Sequence, residues 1–173
     1  QALSREESAF EPAVVSWAGA YGLTQLLLKT AQRAAATLEP PMQIQDTRPL
    51  IDPALNARLG GAFVKELLST YQNYLPLVLA SYNANEKFAH TLWKRHIDDP
   101  FDVFAEEVTI RETRGYIKRV LKTLGIYRWL YDGAPPKTPI KLSLPPIVSH
   151  QAPPSTLQSA ASSLPLKAKE GSQ

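Results

Sequence analysis

The chain has 173 residues, 15 prolines, no cysteine and 44% hydrophobic residues, which suits one compact domain plus a less ordered segment. The missing cysteine excludes disulfide scaffolds, Cys-ligated zinc and thiol nucleophiles, and no apolar run reaches the roughly 18 residues of a transmembrane span. The net charge of +3 comes from the last part of the chain, because residues 1–132 hold 15 basic and 15 acidic residues and so show no global excess to attract nucleic acid.

The amino-terminal segment reads as a helix through Phe10 that must end before Pro12, since a residue preceding proline is pushed out of the helical region. It carries Arg5-Glu6-Glu7-Ser8-Ala9-Phe10. Adjacent helical positions diverge by about 100°, so the two acids cannot face the same way. Glu7 shares a face with Leu3 and Phe10, which makes it the acid expected to be partly buried. Burial disfavours the charged form of a carboxyl, and a carboxylic acid kept protonated near neutral pH can act as a general acid. Taken alone, however, Arg5-Glu6-Glu7 reads first as a solvated helix face.

Residues 12–22, with Ser16, Gly19 and Gly22, form a loop by composition. Leu23 to Ala36 has apolar residues at 23, 26, 27, 31, 34 and 35, a helical rhythm. The proline-bearing stretch 37–52 is a surface loop. Asp52-Pro53 then opens a helix to about Tyr71, with Leu55, Leu59, Ala62, Phe63, Leu67 and Tyr71 inward. Gly60-Gly61 in its middle costs about 1 kcal/mol per glycine relative to Ala, and a close helix–helix crossing would explain that. Short helices follow over Leu75–Asn83 and Glu86–Arg95, and Asp99-Pro100 opens another through about Val108. The longest late helix runs from Arg111 to Leu130, with Tyr116, Ile117, Val120, Leu121, Leu124, Tyr127 and Leu130 on its apolar side. Arg111, Arg114, Lys118, Arg119 and Lys122 spread along its exposed side. No segment alternates with period two, so the folded part is expected to be all-α. From residue 133 the chain is rich in Pro, Ser, Ala and Lys and has no aromatics, which predicts a disordered tail over 133–173 after a domain over 1–132.

Four stretches fall in register with Glu7. They are Pro12-Ala13-Val14 with Ser16, Gly19-Ala20-Tyr21-Gly22-Leu23-Thr24-Gln25, Ala80-Ser81-Tyr82-Asn83-Ala84 and Glu112-Thr113-Arg114-Gly115-Tyr116. Glu7 stands nine residues before Ser16, and Ser16 nine before Gln25. In this order and spacing the chain, from about Leu3 to Leu130, resembles the catalytic domain of the soluble lytic transglycosylases. The resemblance implies the helical lysozyme-like fold related to goose-type lysozyme. It also implies cleavage of the β-1,4 bond between N-acetylmuramic acid and N-acetylglucosamine in peptidoglycan, leaving a 1,6-anhydromuramic end.

Carried over onto this sequence, Glu7 matches the single catalytic acid, and Ser16 and Gln25 match polar residues near the muramic acid. Tyr82 matches a residue that packs and hydrogen-bonds close to the catalytic acid, Asn83 belongs to the same motif, and Glu112 matches the acid of a stretch that helps to shape the cleft floor. Glu6, Thr24, Leu28 and Asn85 depart from the family's commoner Gln, Met, Pro and Gly. Ser16 and Gln25 could equally cap and solvate the start of a helix, Tyr82 be a core aromatic, and Glu112 pair with a neighbouring arginine. His90, His96 and His150 have no metal-ligand spacing, so neither metal nor cofactor is expected. The partners implied are peptidoglycan glycan strands, at the bacterial periplasm or cell envelope, and a further domain can precede Gln1. Two rival readings remain open: a hydrolytic muramidase of the same fold, and a non-catalytic peptidoglycan-binding module.

Overall fold

The computed structural model describes residues 1–96 and 99–132; the tail expected over 133–173 lies outside them. Seven α-helices form among these residues, in the order α1 (Ala2–Ser8), α2 (Leu28–Ala36), α3 (Pro53–Thr70), α4 (Leu75–Asn83), α5 (Glu86–Arg95), α6 (Phe101–Glu107) and α7 (Arg111–Asp132). A 3-10 turn over Arg48–Ile51 precedes α3. Extended pairing among the described residues is limited to isolated bridges, Val15 with Tyr21 and Tyr21 with Leu26. The all-α expectation holds.

Two compact units share the stretch expected as one domain: Gln1–Glu66, and the residues from Leu67 onward. In the first, Ala20, Leu26, Ala31, Ala34, Leu50 and Leu59 are wholly or almost wholly buried. Alanines on the inner face of α2 allow close approach, and Gln32 ties that helix to the next loop by donating to the Ile44 carbonyl at 2.9 Å. The Arg33 guanidinium pairs with Glu66 and lies 5.6 Å from the centre of the Phe63 ring. Asp52 accepts from the Leu55 N–H at 2.7 Å, so the expected acid cap of α3 is in place.

The second unit is organised by α4. Every residue of α4 from Pro76 to Asn83 is buried, as befits a helix that is apolar all round, and it packs against α5 and α7. Gln72 and Asn73, both at positive φ, make the turn that leads into it. Asn85 caps α5 by accepting from the Phe88 N–H at 2.8 Å, which supplies a local reason for Asn at that position. Tyr71 meets Trp93 edge-on at 5.8 Å, and Tyr74 meets Phe104 at 5.7 Å. On the exposed side of α7, Lys118 contacts Glu106 at 2.6 Å, and that hydrogen bond holds the Glu106 carboxyl below its usual value. Part of the basic row on α7 is thus matched by an acid from α6.

The apolar side of α7 is shorter than its sequence pattern. Tyr116, Ile117 and Val120 are buried together with Thr113 and Thr123, but Leu130 is 55% exposed. Among the described residues, Trp129 and Tyr131 beside it are exposed as well.

Tyr74 is fully buried, and its hydroxyl has no hydrogen-bond partner among the described residues. Burial raises its phenol well above the usual value of 10. The unfolded chain therefore ionises first, and stability is lost as pH climbs past 10. Tyr74→Phe keeps the ring packing and removes the orphan hydroxyl. It is expected to stabilise by about 1 kcal/mol at pH 8 and to lessen the alkaline loss. Urea midpoints at pH 8 and 10.5 check both effects.

Candidate active site

The first group of candidate residues stands on α1 and the loop after it. Helix α1 ends at Ser8 because Ala9 and Phe10 both take left-handed backbone conformations, with φ of 52° and 66°. That is two residues earlier than the Pro12 signal alone suggests. The Ala9 N–H closes the last turn on the Arg5 carbonyl at 3.0 Å, while the Ser8 hydroxyl lies 3.0 Å from the Ser4 carbonyl and 2.9 Å from that of Leu23. The helix end is thus fastened to the segment that carries Gln25.

Glu7 is 5% exposed, and Glu6 is only half-buried. The expected choice between the two acids holds, although its reason does not. The residue buried with Glu7 on α1 is Ala2, whereas Leu3 is half-buried and Phe10, outside the helix, is 45% exposed.

Ser16 closes the next turn. Its backbone N–H donates to Ala20 O at 2.9 Å, its hydroxyl accepts from Ala20 N–H at 3.0 Å, and its carbonyl accepts from Gly19 N–H at 2.9 Å. Gly19 sits at φ 73°, where glycine carries no Cβ penalty. The helix expected from Leu23 begins only at Leu28. Tyr21 and Leu26 exchange backbone hydrogen bonds at 3.0 Å, and Gln25 between them has φ 49°. Gln25 is 3% exposed, and its side-chain amide donates to the Val14 carbonyl at 3.1 Å and the Gly22 carbonyl at 3.0 Å. It thereby joins the two sides of the loop that holds Ser16.

Asn56 of α3, not singled out from the sequence, sets the shape of this loop. It is completely buried. Its side-chain oxygen accepts from the Thr24 N–H at 2.8 Å and the Thr24 hydroxyl at 2.7 Å. Its amide donates to the carbonyls of Tyr21 at 2.9 Å and Leu50 at 2.8 Å. Two glycines make room for this contact. A Cβ on Gly22, which has φ 74°, would run into the Asn56 amide and the Leu50 carbonyl, and one on Gly60 would lie 2.5 Å from the Thr24 hydroxyl. The close approach at Gly60 is therefore to a loop rather than the expected helix, while a Cβ on Gly61 would meet nothing within 4 Å. The sequence did hold a signal for Asn56: it is a polar residue on the stripe of α3 that continues through Leu59, Phe63 and Leu67, all buried.

The remaining candidates belong to the second unit. Tyr82 and Asn83 lie in the last turn of α4 and are 4% and 6% exposed. The Thr113 hydroxyl donates to the Asn83 side chain at 2.7 Å in a buried bond. That bond ties the end of α4 to the first turn of α7, where Glu112 is half-buried. Among the described residues no group of three or more His, Asp or Glu side chains is placed to hold a metal ion.

A buried glutamate at a helix end, a serine-closed turn and a Gln-latched loop thus recur here with the spacing noted in the sequence. Residues 1–97 match the family described as the transglycosylase SLT domain. The chain belongs to that family. It is 31% identical over 136 residues to the soluble lytic murein transglycosylase of Escherichia coli, covering 78% of this chain and 21% of that protein. The Salmonella typhimurium protein of the same name is also 31% identical, over 129 residues, which is 73% of this chain and 20% of the relative. Among solved structures, an inactive Glu-to-Gln mutant of the lytic transglycosylase Slt from Pseudomonas aeruginosa superposes with a TM-score of 0.69 at 31% identity, covering 78% of this chain and 22% of its own. The transglycosylase SLT segment described here thus spans about a fifth of the length of the curated relatives it matches.

Proposed function

We propose that this chain is a peptidoglycan lytic transglycosylase domain that cuts the β-1,4 bond between N-acetylmuramic acid and N-acetylglucosamine and leaves a 1,6-anhydromuramic end. The observation that carries this reading is Glu7, a carboxyl 5% exposed at the end of α1, in a chain whose relatives are named for murein transglycosylation. The inactive Pseudomonas aeruginosa mutant, altered by a single Glu-to-Gln change, supports giving a lone glutamate the main role.

Glu7 as an acid gives its proton to the glycosidic oxygen while the bond from that oxygen to C1 breaks. The substrate's own N-acetyl carbonyl supports the positive charge at C1. Glu7, now a carboxylate, takes the proton from the C6 hydroxyl as O6 bonds to C1, and the acid is regenerated without water. Ordinary glycosidases need a second carboxylate about 5–5.5 Å or about 6.5–9.5 Å from the first. A nucleophile tethered within the substrate needs none, because proximity replaces the bound water. Ser16, Gln25, Tyr82, Asn83 and Glu112 are assigned to glycan binding, and the catalytic domain to residues 1–132. Murein lies outside the cytoplasmic membrane, which assigns the protein to the periplasm or cell envelope.

Mass spectrometry of the products from purified peptidoglycan tests this reading. Anhydromuramic ends are expected. Reducing ends would make the chain a muramidase, and an uncut substrate would leave a binding module.

A further inference from the structure

Trp17, which immediately follows Ser16, is 66% exposed. It occupies the first corner of the turn that the Gly19 N–H closes on the Ser16 carbonyl. Such corners take most residue types, with proline favoured. Val15, two residues earlier, is also 48% exposed, so two apolar side chains of this short segment face solvent. The backbone beneath them is well held. Ser16 bonds twice to Ala20, the Gly22 N–H donates to the Val14 carbonyl at 2.9 Å, Val15 bridges to Tyr21, and Gln25 latches Val14. The indole therefore stands on a preformed support, and little ordering of the backbone remains to oppose binding.

We propose that Trp17 is a sugar-stacking platform, a glycan-binding residue that extends the contact surface of Ser16 by one pyranose ring. A pyranose presents a flat face of C–H groups carrying partial positive charge, and the face of an indole is the negative part of its quadrupole. The ring has two χ angles to fix, so the contact costs little side-chain entropy. The occupant is an uncharged N-acetylhexosamine unit of the glycan rather than a stem peptide, because the platform itself is apolar and bears no charge. This inference rests on the reading of the chain as a glycan-cleaving domain.

The test is equilibrium binding of two probes, tetra-N-acetylchitotetraose and peptide-free glycan strands, to the Glu7→Gln protein with and without changes at Trp17. Trp17→Ala is expected to weaken both by about tenfold, and Trp17→Phe by less than about threefold, with unchanged thermal midpoints. With Glu7 intact, Trp17→Ala should raise KM on glycan strands about tenfold and leave kcat within about twofold. Binding within twofold of the parent overturns the platform. So does a Trp17→Ala protein whose thermal midpoint and kcat fall together. Trp17-dependent binding without cleavage would refute the catalytic reading and keep the platform. Cleavage indifferent to Trp17 would do the reverse.

Discussion

Glu7→Gln is expected to slow glycan cleavage by about 10²- to 10⁴-fold, the range that a positioned general acid contributes. The real loss should lie toward the upper end, because one carboxyl serves both proton transfers in the proposed reaction. Glutamine has nearly the same shape as glutamate and is neutral, so a site that is 5% exposed accepts it without a cavity or a stranded charge. Glycan binding should therefore stay within a few-fold of the parent, and the loss should appear in kcat rather than KM. Glu6→Gln is the matched control, since Glu6 is half-buried on the neighbouring side of α1. It is expected to retain most of the activity. Release of soluble fragments from purified peptidoglycan, with binding measured separately by cosedimentation, checks both variants. A Glu7→Gln protein that cuts within tenfold of the parent rate would remove Glu7 from the mechanism.

Asn56→Ala is expected to cost about 3–4 kcal/mol of stability, the second large effect. One side chain here satisfies a backbone N–H, a hydroxyl and two backbone carbonyls, at 2.7–2.9 Å and away from solvent. Alanine takes this partner from the Thr24 N–H and the Leu50 carbonyl, while the Tyr21 carbonyl keeps the Leu26 N–H, and each stranded buried group costs about 1–3 kcal/mol before relaxation. Asn56→Asp keeps the two accepting bonds but turns a carboxylate toward the two carbonyls, so it should also be destabilised. Urea unfolding followed by circular dichroism measures the change, and a loss below 1 kcal/mol would show that water or a shifted backbone replaces the network. Because Asn56 holds Tyr21 and Thr24, which stand just before Gln25, cleavage should fall even at temperatures where the variant is folded.

Much of the second unit is legible in the sequence because its signals are local. Pro76 near the first turn of α4, Asn85 just before α5 and Pro100 just before α6 each act on the backbone within three or four residues. The expected bounds of α4 and α5 match the observed ones for that reason. Helical periodicity likewise sufficed for the fold class. Less was legible in the first unit, where contacts between residues distant in the chain override the local rhythm. Leu23 to Leu27 have apolar residues at helical spacing but form no helix. Asn56, 32 residues beyond Thr24, takes the Thr24 N–H and Tyr21 carbonyl, and Tyr21 pairs with Leu26 instead. The same network explains Gly22 and Gly60, which composition alone marks only as a loop residue and a weak point in a helix.

By itself the sequence determined the helical class, the motif spacing that marks the family and which of the two adjacent acids is the buried one, since these depend on residue type and order. The tertiary structure decided how that acid is buried. Two left-handed residues end α1 at Ser8 and leave Phe10 exposed, while Ala2 is the residue of the helix buried along with Glu7. It also decided that the loop bearing Ser16 and Gln25 is a latched structure. Its shape rests on hydrogen bonds to Asn56 and on two positions with no room for a Cβ. Hydrogen bonds between residues so far apart in the chain leave no periodic trace in the sequence, and only the folded backbone brings their partners within reach.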